Sequence, residues 1–313
     1  MSNLIPSPDV SVSIPPSSAG PAIEAFPSRK AEVGVLSVRR ALPVRQRRTI
    51  GPWCFFDHFG PIEFIDGKPM DVAPHPHIGL QTVSWLFEGE VLHRDSLGSE
   101  ALLHPGELNL MTAGAGIAHA EETPLEHSTK LHGVQLWIAL PETHRRTTPL
   151  FAHHTDILAN EIPGGRVTVI MGQVDGVHSP AKAFSTLIAF ELVVNKSEKV
   201  HVPLDRSFEH GMVVVAGQAD LEGQSLDPDT LYYLGVDRDE LSLTSRGGAR
   251  VMVVGGAPFG ESIVMWWNFV ARTNQEIQQA REDWAQHRRF CDVSAYRGPR
   301  LEAPPLEFRP KSG

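Results

Sequence analysis

Apolar and polar residues alternate along most of the chain in short runs, with the period of two that marks half-buried strands. The runs include "VGVLSVRRAL" (33 to 42), "GLQTVSWLF" (79 to 87), "KLHGVQLWIAL" (130 to 140) and "RVTVIMGQV" (166 to 174), broken by Gly, Pro, Asn and Asp. A second series starts at 184: "FSTLIAFELVV", "HGMVVVAGQADLEG", "DTLYYLGV", "DELSLTS" and "ARVMVVGGAP". Regular short strands with turn residues between them predict sandwiches or barrels. Two such series predict two similar all-β domains, joined near "LPETHRRTTPLF" (140 to 151). One segment has a different period. In "TNQEIQQAREDWAQHRR", Thr273 and Glu276 form a capping-box pattern, and Ile277, Ala280 and Trp284 follow at helical spacing. This predicts a packing helix over about 273 to 288 with Trp284 buried, and with His287, Arg288 and Arg289 where the helix dipole favours cations. The opening "MSNLIPSPDVSVSIPPSSAGPA" is rich in Pro and Ser and predicts a disordered tail over 1–30.

Composition narrows the class. A chain of 313 residues fits two medium domains, each able to bury its own core. A hydrophobic fraction of 41% and a charged fraction of 21% are those of a soluble globular protein. The net charge of −9 repels phosphate backbones, which argues against direct nucleic-acid binding. The densest basic run, "VRQRRTIG" (44 to 51), reads as a solvated turn. Cys54 and Cys291 are the only cysteines and lie far apart, which points away from a disulfide framework and toward a reducing compartment. No apolar run reaches the length of a membrane span, and the N-terminus lacks a secretory pattern. The expected location is the cytoplasm.

The candidate chemistry lies in "APHPHIGLQ" (73 to 81) and "MTAGAGIAHAEET" (111 to 123). His75 and His77 are two apart, so on a strand both imidazoles point to one face; His119 and Glu121 have the same spacing. With 15 His in the chain, an H-x-H is expected by chance about 0.7 times, so the first motif alone is weak. Neither motif recurs elsewhere in the sequence, and Gly106, Gly114 and Gly116 precede His119 as expected where backbone turns sharply beside a site. Three imidazoles and a carboxylate make a coherent ligand set. Imidazole suits Fe, Zn, Cu and Ni, and a carboxylate shifts the balance toward iron or manganese. Four protein ligands in an octahedral field leave two positions for a chelating substrate or for substrate plus dioxygen. A closed structural zinc site would instead be tetrahedral and rich in cysteine.

The segments "RRTIGPWCFFDHFGP", "HPHIGLQTVSWLFEGE", "GELNLMTAGAGIAHAE" and "GGAPFGESIVMWWNFVARTNQEIQQAREDW" closely resemble the pirin family in order and spacing, over about residues 33 to 290. The resemblance implies an all-β bicupin: two stacked antiparallel, jelly-roll-like β-barrels with a C-terminal helix. It places the family's H-x-H on His75 and His77 and its H-x-E on His119 and Glu121, holding one Fe(II) per chain, with Zn, Ni or Mn as substitutes. The implied organisation is a metal-binding cupin domain over 31–150, a cupin domain without metal over 151–268, and a helix and tail over 269–313. Pirins commonly carry a glutamate where this chain has Gln81, which would remove a negative charge near the metal.

Several residues carry weaker expectations. His201 and His210, near strand starts in the second half, read as surface or turn residues. Asp57 and His58 could orient a ligand or simply form a strand-end cluster. Trp53, Phe55, Phe56, Trp85 and Phe87 could line a pocket for a flat substrate, although core packing is the commoner role of such a stripe. The function implied by the resemblance is a dioxygenase acting on flavonol-type, quercetin-like substrates with O2; the residues themselves make Glu121, beside the metal, the candidate catalytic proton acceptor. The alternative is a non-enzymatic regulator whose metal sets a surface for a protein partner, a transcription factor or a metabolic enzyme.

Overall fold

A computed structural model describes residues 9–12, 20–34, 36–64 and 70–306. Its strands form two barrels, each a seven-stranded sheet facing a four-stranded one, with antiparallel pairing throughout both. In the first barrel the large sheet runs Leu150–His154, Leu108–Thr112, Leu80–Glu88, Lys130–Ala139, Trp53–Glu63, Leu36–Leu42, Arg29–Val33. Its small sheet runs Asp71–His77, Ile117–Glu122, Val91–Asp95, Glu100–Leu103. The second barrel repeats the plan. Its large sheet centres on Leu187–Val194, Ala249–Gly256, Glu209–Gly217 and Thr230–Gly235, and its small sheet opens with Glu198–Pro203 beside Glu240–Ser245.

The large sheets pack against each other, which explains why their central strands read as nearly unbroken apolar runs. One face of each fills its own barrel and the other meets the neighbouring barrel, so both faces are buried. One shared core joins Trp53, Phe56, Val83 and Trp85 of the first barrel to Leu187, Val213, Tyr233 and Met252 of the second. Polar groups in this layer are paired, as burial requires. The Trp53 indole donates to the carbonyls of Ile188 and Gly255 at 3.1 and 3.0 Å, and that of Trp85 donates to Glu191 at 2.8 Å. At Gly51 (φ +50°) the chains approach so closely that a Cβ would stand 2.9 Å from the Gly256 backbone, which only glycine permits.

The helix spans Asn274–Ala285 with Thr273 as N-cap and both capping-box hydrogen bonds formed. Ile277, Ala280 and Trp284 are buried against Ala118, Ala120 and Phe269, outside the first barrel. His287, Arg288 and Arg289 lie past the helix end, and the last turn carries no basic residue. The helix dipole therefore does not explain them.

Three further features differ from the expectations. Part of the expected disordered tail forms strands: Asp9–Val12 pairs with Ser262–Trp266, and Pro21–Pro27 completes the edge of the second barrel's large sheet beside Thr230–Gly235. Its remaining residues, 1–8 and 13–19, lie outside the described residues. The expected boundary at 150/151 falls inside the strand Leu150–His154, which pairs with Leu108–Thr112 of the first barrel. An open sheet edge needs a partner strand, and each barrel takes one from chain outside its own expected limits. Finally, "VRQRRTIG" turns at 44–47 but is not wholly solvated. Arg47 is buried, with its guanidinium 3.6 Å from the centre of the Tyr233 ring and within 3.9 Å of Glu209. No helix among the described residues is long and apolar enough to cross a membrane.

Candidate metal centre

Pairing of Asp71–His77 with Ile117–Glu122 sets His119 directly opposite His75. His77, two residues along, shares that face because side chains alternate on a strand. The three imidazoles converge: their ring centres are 4.4, 4.9 and 5.0 Å apart, and one nitrogen from each falls within 4.8 Å of the others. Among the described residues this is the one such set of three or more His, Cys, Asp or Glu. Glu121 is buried beside it, with Ser84 Oγ 3.4 Å from Oε1, but its oxygens stand outside the 4.8 Å set. A register shift between His119 and Glu121 gives the facing strand one extra residue, since Glu121 pairs with Val72 rather than the residue two before His75. Within that bulge the Ala73 carbonyl accepts a hydrogen bond from His75 Nδ1 at 2.9 Å, which fixes the tautomer and leaves the Nε2 lone pair inward.

All three histidines are completely or almost completely buried. Burial pushes each well below the ordinary imidazole range, and for His75 and His77 the neighbouring His119 adds to the shift. They are therefore neutral at pH 7, the form that binds metals. His75 Nε2 has no hydrogen-bond partner among the described residues, and Nε2 of His77 lies 3.1 Å from Nε2 of His119. Two neighbouring ligands each about 2.1 Å from one ion would stand about that far apart. The residues thus fit a single metal ion. Cys54 packs nearby, but burial raises its thiol to about 12, so it offers no thiolate.

Around the histidines, Trp137 stacks on Phe55 at 4.0 Å and meets the His77 ring nearly at right angles, with centres 5.3 Å apart. Met111 and Phe151 join this cluster, as do Phe259, Ile263, Met265 and Val270 from the chain that returns after the second barrel. Of the five aromatic residues expected to line a pocket, only Phe55 lies here. Trp53, Phe56, Trp85 and Phe87 belong to the layer between barrels. Gln81 also points away from the metal site: its amide donates to Thr112 Oγ1 at 2.9 Å and to the Lys182 carbonyl at 3.1 Å. Odd positions of that strand face the second barrel, so Gln81 does not change the charge beside the metal. Asp57 forms a two-point ion pair with Arg40, and His58 bridges His132 and Asp229 at 2.8 and 2.7 Å. Neither reaches the three imidazoles, so the strand-end cluster is the better description.

Sequence reasoning missed His93 and Asp95. His93 Nδ1 lies 3.4 Å from Nδ1 of His119, its ring stacks on Phe151 at 4.2 Å, and its Nε2 faces Asp95 at 3.3 Å. The signal was present: H-x-D at 93 to 95 repeats the same two-residue spacing.

The family model described as Pirin matches residues 35–138, and that of the Pirin C-terminal cupin domain matches residues 189–290. The chain belongs to the pirin family. Among relatives of this pirin, a Pseudomonas aeruginosa protein named "Putative quercetin 2,3-dioxygenase" is 44% identical over 284 residues, spanning 90% of each chain. A pirin-like protein of Caulobacter vibrioides is 34% identical, covering 83% of this chain and 91% of that one. The crystal structure of a quercetin 2,3-dioxygenase from Acinetobacter baumannii superposes with a TM-score of 0.89 at 43% identity, over 92% of this chain and 97% of that one. The bicupin architecture is thus common to this pirin and its relatives.

Proposed function

We propose that this pirin is a cytoplasmic dioxygenase of flavonol-type, quercetin-like substrates, holding one Fe(II) on His75, His77, His119 and Glu121. The observation that carries this is the convergence of three buried neutral imidazoles beside a buried carboxylate, with the Trp137 ring packed against His77. The naming of relatives at 43–44% identity as quercetin dioxygenases supports the reaction class. When bound, the ion would supply a Lewis-acidic, redox-capable centre for a substrate oxygen and dioxygen. The protein's part is orientation and proton transfer. Trp137 and Phe55, stacked on each other beside His77, fix the position of that imidazole, and the buried Met111, Ile263 and Met265 side chains exclude water. A carboxylate oxygen of Glu121 takes the proton of the substrate hydroxyl, and Ser84 stays within reach of that carboxylate. Zinc, nickel or manganese can occupy the same ligands after purification.

The test is oxygen uptake with loss of quercetin absorbance, comparing the chelated protein with the same protein reloaded with Fe(II). Turnover that appears only on reloading supports the proposal. No turnover by the fully loaded protein would move the reading to a metal-dependent regulator that binds a protein partner.

A further inference from the structure

The second barrel lacks the metal-binding motifs, yet the same end of it is built around a buried histidine. Its small sheet places Val200, Val202, Leu241 and Leu243 inward, all in the barrel core, on the strand pair that corresponds to the one bearing the imidazoles in the first barrel. His201 points outward and bonds Glu240, as its sequence reading held. His210 does not fit that reading. It lies on the strand Glu209–Gly217 with Phe208, Met212 and Val214 on the same inward side, and it has no exposed surface. Neither Nδ1 nor Nε2 has a hydrogen-bond partner among the described residues. An unpartnered polar group in a core is costly and calls for an explanation.

On the far side of Phe208 and Ile188 from it is a cavity of about 760 Å³, lined by those two residues and by Leu204, Thr186, Asp175 and Asp205 among others. Ile188 and His210 close on the same point of the Gly255 backbone, within 3.2 and 2.8 Å of where its Cβ would be. The Phe208 ring centre is 6.1 Å from that of His210, and the charge of Asp205 acts on the imidazole. Two cavity-lining residues, Ile188 and Phe208, therefore neighbour the ring, and Asp205 acts on it through its charge.

We propose that this cavity binds a small uncharged hydroxylated aromatic compound, whose hydroxyl reaches the ring nitrogens of His210 once the Phe208 side chain turns aside. The volume suits a ligand of that kind, since such sites span roughly 300–1,000 Å³. The Ile188, Leu204 and Phe208 side chains offer an apolar wall to a flat body, while Ser179, Ser185 and Thr186 leave polar partners for its hydroxyls. Asp175 and Asp205 at the rim repel a carboxylate or phosphate. Burial lowers His210 to about 4, so at neutral pH it offers one N–H and one lone pair, the complement of a hydroxyl. This site stands apart from the metal centre, and its occupancy does not depend on the reaction proposed there.

The test uses zinc-loaded full-length protein with ¹⁵N-labelled histidine rings, titrated with phenol and separately with benzoate. The His210 ring resonances, assigned by their loss in His210→Leu, should shift saturably with phenol and stay fixed with benzoate. His210→Leu, and independently Leu204→Trp at the cavity wall, should weaken phenol binding by at least about tenfold while metal content is unchanged. Resonances that ignore phenol, as they would if a trapped water satisfies the ring, overturn the proposal, as does equal response to benzoate. If His210→Leu fails to fold, His210→Gln supplies the assignment, and His178→Gln, which removes the other imidazole at this cavity, should leave the shifting resonances in place.

Discussion

Arg40→Met is the substitution whose consequence the structure defines most sharply. Arg40 donates from Nε and Nη2 to the two oxygens of Asp57, each at 2.7 Å, and the side chains are 2% and 0% exposed. At a charge separation of about 4 Å and an effective dielectric near 20, the attraction is about 4 kcal/mol. Methionine keeps most of the buried stem and removes only the charge, leaving the Asp57 carboxylate buried and unpaired. Breaking such a pair costs about 3–5 kcal/mol, whereas replacing both partners with apolar residues is often neutral. Urea unfolding of the metal-loaded protein should therefore show Arg40→Met less stable by about 3–5 kcal/mol, and Arg40→Met/Asp57→Leu recovering most of that loss. The effect should reach the metal site. The Arg40 guanidinium lies 4.4 Å over the Phe55 ring, which stacks on Trp137, whose ring meets His77. Metal affinity of the single variant should fall with its stability. A loss under about 1 kcal/mol, or a double variant no more stable than Arg40→Met, would refute the reasoning.

Glu121→Gln separates anchoring from proton transfer. If Glu121 is the proton acceptor, turnover per bound iron should drop by about 10²–10⁴ at full occupancy, because an amide cannot take up a proton at neutral pH; equal turnover per metal would end that role. His119→Ala should abolish stoichiometric metal binding, measured as metal per chain after equilibration, from an expected value of one. Glu276 accepts hydrogen bonds from the Arg272 and Thr273 backbone and from Arg146. Its burial would raise the carboxyl, but these bonds and the arginine charges outweigh it and hold the group down at about 2. A carboxyl depressed from 4.5 stabilises the fold fully above the unfolded value and loses that contribution as pH falls through about 2. Thermal unfolding should thus show Glu276→Gln destabilised by about 1 kcal/mol at pH 7 and matched to wild type near pH 2.

Much of this protein was legible in the chain because the relevant rules are local. Period-two runs marked the strands, and Thr273, Glu276 and Trp284 marked the helix and its buried face. H-x-H and H-x-E spacing placed each pair of side chains on one strand face. What the chain alone left open was decided by proximity in space between segments far apart in sequence. That His75 stands opposite His119 follows from strand register, and the offset of Glu121 from a bulge that alternation cannot foresee. Which aromatic residues face the metal depended on which side of a doubly buried strand meets the second barrel, because both sides are apolar and hydropathy alone does not distinguish them. For the same reason Gln81 was assigned to the wrong face. The strands at 9–12 and 21–27 look like tail in isolation, since they become ordered only by completing sheet edges formed more than two hundred residues later. Local periodicity sets what each segment can become; long-range pairing sets which face it buries and against what.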